Sequence, residues 1–374
     1  MRIGIDARPL ATHSGGIPRV VRSIVRELAQ LDPQNEYYFY SHRDFQLPFR
    51  MPNWRKRVEP LAHVLPGTLW LQVVAKRRIL QDRLDVFWGT AHVLPLGLPS
   101  SMVKILTAYD LVWLKYPETM SWYNRQVNRS LAPPSMRQAD RIMVISESTA
   151  KDLQVLAGIE RSKVEVVYLG ASQAYRPRDR AAAVRYIAAK FGVSENFICA
   201  VGTLEPRKNL VTLLGAVRRL RDRRSWRHQL LVAGARGWKE SRIHQTVRRL
   251  GLFEHEVRFL GYVPEEDLPL LYSGAAVFVF PSIYEGFGLP LAEAMACGVP
   301  IVASDCSSIP EIVQDAALLV SPHRPEEFAN AIARVIEDHE LRVALVEKGL
   351  NRARLFRWDT AARKVIRMLT RDAA

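Results

Sequence analysis

The stretch Phe280–Pro300, F-P-S-I-Y-E-G-F-G-L-P-L-A-E-A-M-A-C-G-V-P, sets two carboxylates, Glu285 and Glu293, around a glycine-bearing loop. The apolar run before it reads as a buried strand, Ala276–Pro281. Pro290 suits the first turn of a helix and Gly298 its end. Glycines let a backbone come close to a ligand, and the free N–H groups of a helix start attract anions and oxygens. Glu285 lies before that helix and Glu293 inside its first turns. Carboxylates accept hydrogen bonds from vicinal hydroxyls, so the two could grip two parts of one extended, hydroxyl-rich ligand. The plainer alternative makes one a loop acid and the other an ordinary helix charge.

A second stretch, G-T-L-E-P-R-K-N at Gly202–Asn209, narrows that choice. It follows a predicted buried strand and precedes a helix whose apolar face is Leu210, Leu213, Leu214 and Val217. Arg207 offers a planar fork and Lys208 a point charge, a combination suited to a diphosphate. Cations at a helix start oppose the helix dipole, so a negative partner is expected beside them. Ser14-Gly15-Gly16, after the first strand, reads as a turn that could approach the same phosphates.

These residues need elements to hold them. Short β-branched runs alternate with amphipathic helical stretches, which argues for parallel sheets covered by helices. In the first half the predicted strands are Arg2–Asp6, Glu36–Ser41, Asp85–Gly89, Val103–Thr107, Arg141–Ile145 and Lys163–Tyr168, with helices such as Gly16–Leu31 and Asn124–Ala139 between them. A polar stretch, Gly170–Arg180, interrupts. The alternation restarts with Phe197–Gly202, Gln229–Ala233, Glu256–Leu260, Ala276–Pro281 and Pro300–Ser304. The pattern predicts an α/β protein of two Rossmann-like, doubly wound parallel-sheet domains, about 1–170 and 175–354, with a ligand cleft between them. The tail, about 355–374, predicts a final helix with Ala361, Val365, Ile366 and Leu369 on one face.

The chain has 374 residues, 48% of them hydrophobic and 24% charged, which is globular composition with room for two cores. Cys199, Cys297 and Cys306 fall in apolar surroundings without metal-ligand spacing, and read as reduced, buried thiols. No D-x-D motif occurs, so no metal site is expected. The opening M-R-I-G-I-D starts a strand and no long apolar run follows, which predicts a cytoplasmic protein, at most peripheral on the inner face of the plasma membrane. A net charge of +15 points to polyanions: nucleic acid, an anionic membrane or phosphorylated substrates. No nucleic-acid-binding signature is present, so nucleic acid is not expected as a partner. The arginines at 218, 219, 221, 223 and 224 read as a solvated helix face. Residues 45–83 mix apolar side chains (Phe45, Leu47, Phe49, Met51, Trp54, Leu69, Trp70, Leu71) with basic ones (Arg55, Lys56, Arg57, Lys76, Arg77, Arg78), a composition suited either to an anionic bilayer surface or to acceptor-domain core with solvated charge.

The chain resembles glycosyltransferase family 4, the retaining GT-B enzymes. The likeness rests on G-I-D-A-R, S-G-G-I-P-R, G-T-L-E-P-R-K-N-L, V-R-F-L-G-Y-V at 257–263 and the E-x7-E of Glu285 and Glu293. It implies a nucleotide-sugar donor, no cofactor, and a final helix crossing back to the first domain. It places Glu285 on the donor sugar and Glu293 on the nucleoside ribose. Arg207 and Lys208 would neutralise the leaving diphosphate, with Gly16 near the same phosphates. Gly202, Thr203, Gly286, Phe287, Gly288 and Leu289 would line the donor through their backbone, and Tyr262–Val263 would read the base edge. Many relatives carry histidine-aspartate where this chain has Tyr109-Asp110. Asp110 and His92, in G-T-A-H-V-L-P, are therefore acceptor-side candidates. The overall pattern is most similar to mannosyltransferases of bacterial surface-polysaccharide assembly, which implies GDP-mannose and a glycan or lipid-linked glycan acceptor. Two other readings stay open: a nucleotide-sugar epimerase of the same architecture, and a non-catalytic basic protein binding membrane or RNA.

Overall fold

The computed structural model describes residues 1–12, 15–59, 65–223 and 226–370, so Ser14 and Arg224 lie outside the described residues. The chain divides into two compact units, Met1–Gly170 with Arg357–Ala374, and Ala171–Phe356. The first contains a seven-stranded sheet built from β1 (Arg2–Asp6), β2 (Glu36–Ser41), β3 (Trp54–Val58), β4 (Val86–Gly89), β5 (Val103–Ala108), β6 (Arg141–Val144) and β7 (Val164–Val166). The order is β3-β2-β1-β4-β5-β6-β7, and the pairings are parallel. Its central strands are almost wholly buried, as strands covered by helices on both faces must be. The helix Gly16–Leu31 packs with the C-terminal helix Trp358–Thr370. Arg141 Nη1 and Lys364 Nζ pin that tail, donating to the carbonyls of Met368 (2.6 Å) and Val166 (3.1 Å).

The second unit holds β8 (Phe197–Val201), β9 (Gln229–Ala233), β10 (Val257–Gly261), β11 (Phe278–Phe280), β12 (Ile301–Ser304) and β13 (Ala317–Val320), in the order β10-β9-β8-β11-β12-β13. In each sheet the winding reverses once, between β1 and β4 in the first and between β8 and β11 in the second. Connections leave those strand ends in opposite directions, which opens a crevice at each place.

The structure corrects the sequence reading in three places. Where predicted strand ends move, most move inward, with Lys163–Tyr168 trimmed to Val164–Val166 and Ala276–Pro281 to Phe278–Phe280. Two edge strands, β3 and β13, have no counterpart in the predicted set. β3 is W-R-K-R-V, whose exposed cations protect a sheet edge while disguising the strand. The third correction concerns residues 45–83. Trp54 packs on Phe39 with ring centroids 5.1 Å apart, and Phe45, Trp70 and Leu71 are also buried. Most of the large aromatic side chains there belong to the core, because this segment supplies both an edge strand and a helix packed on the sheet.

One glycine is obligatory. β8 and β9 continue beyond their ladder, with the N–H groups of Gly202 and Leu204 donating to Ala233 (2.9 Å) and Ala235 (3.0 Å). A Cβ on Gly234 would lie 1.9 Å from the Gly202 carbonyl oxygen, a backbone atom unable to rotate away. Gly234→Ala should therefore destabilise by at least the ~1–3 kcal/mol typical of overpacking. Urea unfolding checks this, and stability within ~0.5 kcal/mol of wild type would mean the two segments part freely.

Candidate active site

The β8–β11 switch point is where the second unit gathers its charge. After β8 the chain passes Gly202 and Thr203 and makes one short turn, Pro206–Lys208. Asn209 then takes a left-handed conformation (φ 53°) ahead of the helix Leu210–Arg221. Its amide donates to the carbonyls of Pro281 (3.0 Å) and Pro322 (2.7 Å), tying this turn to the chain leaving β11. Arg207 and Lys208 are thereby aimed at Glu285. Lys208 Nζ donates to Glu285 Oε1 at 2.6 Å and Arg207 Nη1 to Oε2 at 2.7 Å. Arg207 also donates to Glu205 Oε1 (2.7 Å) and the Tyr284 carbonyl (2.7 Å). The negative partner expected beside the two cations is thus supplied by the protein, as Glu205 and Glu285.

Glu285 and Glu205 are only 6% and 4% exposed. Burial alone would raise the Glu285 carboxyl, but Arg207 and Lys208 outweigh it and hold the group at about 2. Lys208 Nζ also stands 5.5 Å from the Phe280 ring. The enclosed space beside Lys208 is about 10 Å³, room for roughly one water.

The loop carrying Glu285 is held from a third strand end, a support absent from the sequence reading. After β12, Ser307 Oγ accepts the Glu285 N–H (2.9 Å). Ser308 Oγ donates toward the carbonyls of Glu285 (3.0 Å) and Phe287 (3.2 Å), and the Cys306 thiol toward those of Ser282 and Ile283. A D-C-S-S turn at a strand's carboxyl end was the available signal. Gly288 (φ 90°) then caps the helix Leu289–Cys297, and Phe287 packs edge-on against Phe356. Glu293 lies in that helix, 2% exposed, and accepts from the Tyr272 hydroxyl at 3.2 Å. Cys199 and Cys297 are buried, and burial raises both thiols, Cys297 to about 12. Cys306 is partly exposed. At the end of β10, Val263 is buried while Tyr262 is 63% exposed.

The first unit places its candidates around the β1–β4 switch. Gly16 starts the helix Gly16–Leu31 with no described residue within 4 Å of a would-be Cβ, and the unusual φ (117°) falls on Gly15. His92 follows β4 in a left-handed conformation (φ 58°), its N–H donating to the Thr107 carbonyl at 3.0 Å. Its ring meets Tyr109 edge-on at 5.5 Å, and among the described residues the buried His92 Nδ1 and Tyr109 hydroxyl have no hydrogen-bond partner. Burial lowers the imidazole, with Asp110 opposing, and raises the phenol, with Asp6 adding to the rise. Asp110 itself accepts the Val112 N–H at 3.2 Å. A further pair was not singled out from sequence: Arg8 grips buried Asp6 through Nε (2.8 Å) and Nη2 (2.7 Å) at the end of β1.

Two doubly wound units with charged or polar groups at each switch point define the GT-B class of glycosyltransferases. The sucrose-phosphate synthase structure from Thermosynechococcus elongatus superposes with a TM-score of 0.80 at 22% identity, covering 99% of this chain and 98% of that one, a likeness of fold. Residues 14–173 match the model "Glycosyltransferase Family 4", and residues 188–352 match "Glycosyl transferases group 1". The O-antigen chain mannosyltransferase B of Escherichia coli is 36% identical over 288 residues, 77% of this chain and 74% of the relative. The MMP alpha-(1->4)-mannosyltransferase of Mycolicibacterium hassiacum is 27% identical across 98% of this chain and 97% of its own. The chain belongs to glycosyltransferase family 4, and its activity is glycosyl transfer.

The Glu285 cluster has a pH signature. The carboxyl sits near 2 in the folded protein against an ordinary 4.5, so its contribution to stability is complete above about 4.5. That contribution disappears as pH falls from there toward 2, and is on the order of 3 kcal/mol. Glu285→Gln should accordingly be less stable than wild type at neutral pH, with the gap closing under acid. Denaturant unfolding of both proteins at neutral pH and near the acid limit measures it. A gap that stays constant with pH would show that Glu285 is not held ionised by its cations.

Proposed function

We propose that the protein transfers a hexose, mannose from GDP-mannose, with retention onto a glycan or lipid-linked glycan during surface-polysaccharide assembly. The observation that carries this reading is the buried carboxylate Glu285 clamped between Arg207 and Lys208 at the β8–β11 switch point. In the ligand-free cluster two cations balance two carboxylates. A donor diphosphate arriving there would compete for the cations and free Glu285 to face the sugar. As the sugar departs, negative charge grows on the phosphates and positive charge on the ring. Fixed cations and a fixed carboxylate, already oriented, stabilise both without reorganising. Arg207 and Lys208 would then do the charge neutralisation of the diphosphate, so the proposal is metal-independent and needs no cofactor. Mannose is supported by the names of the relatives, an O-antigen chain mannosyltransferase and an alpha-(1->4)-mannosyltransferase. Retention follows from same-face attack, the leaving phosphate accepting the acceptor's proton. Gly16, Gly202, Thr203, Gly286, Gly288 and Leu289 would line the donor, with Tyr262–Val263 at the base. His92 and Asp110 stand on the acceptor side.

The two glutamates separate the roles. Glu293 would hold the ribose, which does not change during reaction, so its hydrogen bonds act equally in ground and transition states. Glu293→Gln should raise KM and weaken the bare nucleoside diphosphate by roughly ten- to a hundredfold, the ~1.5–3 kcal/mol of a charged hydrogen bond. Glu285→Gln should lower kcat about a hundredfold while the bare diphosphate binds at least as tightly as before, the competing carboxylate charge being gone. Calorimetry with GDP, UDP and ADP, beside steady-state kinetics with and without acceptor, decides among these outcomes. Donor turnover that needs no acceptor would favour epimerisation. If neither substitution alters binding or turnover, this cluster is not the active site.

A further inference from the structure

Arg207 and Lys208 meet the same carboxylate but are held differently. The Arg207 guanidinium is spread over three acceptors. Nη1 donates to Glu285 Oε2 (2.7 Å) and the Tyr284 carbonyl (2.7 Å), and Nη2 donates to Glu205 Oε1 (2.7 Å). Its backbone is tied too, the Arg207 carbonyl accepting the Ile283 N–H at 3.0 Å. Both carboxylates that it bridges are buried. Lys208 is less engaged. Among the described residues its ammonium has one hydrogen-bond partner, Glu285 Oε1 at 2.6 Å, and an ammonium carries three donors. Lys208 also lines the small space of about 10 Å³ beside Gly202 and Ser282, which Arg207 does not line. Gly202 leaves the lysine stem uncrowded on that side, where a Cβ would stand 3.3 Å from Lys208 Cε and 3.4 Å from Cδ. The flexible stem can swing where the planar fork is fixed.

We propose that Glu205 is a positioning residue that keeps Arg207 on Glu285, so that an arriving diphosphate draws off Lys208 alone. The inference rests on the donor-cluster reading above and divides the work of its two cations. To reach a phosphate, Arg207 would have to leave two buried carboxylates and a carbonyl together, and a buried acceptor left without its donor costs free energy. Lys208 gives up one contact, and Glu285 keeps a cation when it goes. Glu285 then holds its place through Oε2 on Arg207, while Oε1 is released toward the sugar. Arg207 acts on the diphosphate through its charge, from where it stands. Glu205 opens the same short turn that carries both cations, its carbonyl accepting the Lys208 N–H at 3.1 Å, so anchor and cations share one rigid piece of backbone. Without the Glu205 carboxylate one arm of the guanidinium is loose, and Arg207 can follow the phosphate and leave Glu285 without a fixed partner.

Calorimetry with bare GDP, UDP and ADP, beside kinetics of the whole protein with GDP-mannose, tests the division on variants that keep side-chain size. Lys208→Gln should lose at least about tenfold in affinity for the bare diphosphate. Arg207→Lys keeps the charge but cannot bridge two carboxylates, so kcat should fall about tenfold while the bare diphosphate binds within about threefold of wild type. Glu205→Gln should also lower kcat about tenfold, with diphosphate affinity no weaker than wild type. Because Glu205 acts through Arg207, the double variant Glu205→Gln with Arg207→Lys should lose about the same tenfold rather than about a hundredfold. Losses that multiply would make Glu205 an independent charge and overturn the inference. So would Arg207→Lys losing as much diphosphate affinity as Lys208→Gln does. Glu205→Gln keeping kcat per folded molecule within about twofold of wild type, as a merely structural residue would, overturns it equally. These three results leave the transfer reading standing as long as Lys208→Gln still loses the diphosphate. If Lys208→Gln binds and turns over as wild type does, the transfer reading falls and this inference falls with it.

Discussion

A carboxylate that is 6% exposed must be paid for by its neighbours, and in this protein the neighbours are Arg207 and Lys208. Taking Glu285 out of water alone costs several kcal/mol, and removing one partner from such a cluster leaves an uncompensated buried charge. The surrounding architecture follows from keeping three charged groups within hydrogen-bond reach. Asn209 ties the Arg-Lys turn to the chain leaving β11, and the serines after β12 fix the carbonyl and N–H of Glu285 itself. Three strand ends therefore converge on one side chain. Glu205 completes the balance, so the cluster is electrically closed before any ligand arrives.

The first unit solves the same topological problem with different chemistry. Its winding also reverses next to the first strand, and there the closed ion pair is Asp6 with Arg8. Close to it, however, His92 Nδ1 and the Tyr109 hydroxyl are buried with no partner among the described residues. Unpaired buried polar atoms cost free energy, and such costs persist where function requires them. A neutral imidazole and a neutral phenol at neutral pH are what the directions of their shifts describe. Neutral groups suit contacts with uncharged hydroxyls, whereas the second unit presents charge.

Much of this was legible from residue order because the informative signals are local. The helix Gly16–Leu31 and the strands Arg2–Asp6, Glu36–Ser41 and Gln229–Ala233 coincide with their predicted limits. Each combines an apolar period with a clear stop. Glu285, Arg207 and Lys208 were also readable, since glycines and prolines mark the strand-to-helix turns that carry them. Where chemistry and local punctuation coincide, pattern suffices.

Other features depended on which segments meet. Phe45, Trp54, Trp70 and Leu71 beside basic residues look the same in sequence whether they face lipid or a core. Only the placement of β3 at the sheet edge and of helix 67–81 beneath it buried the aromatic rings and left Leu69, Val73 and Leu80 outside. β3 itself, with three consecutive cations, has no strand pattern until β2 lies beside it. The mutual grip of Glu285 and the two cations spans 77 and 78 residues of chain, and the serines that brace it come 22 and 23 residues later. Composition and spacing determined the chemistry available and the winding of both sheets. Charge balance, burial and the orphaned pair at His92 and Tyr109 arise only when distant strand ends share one place, because desolvation and Coulomb energies depend on distance in space rather than along the chain.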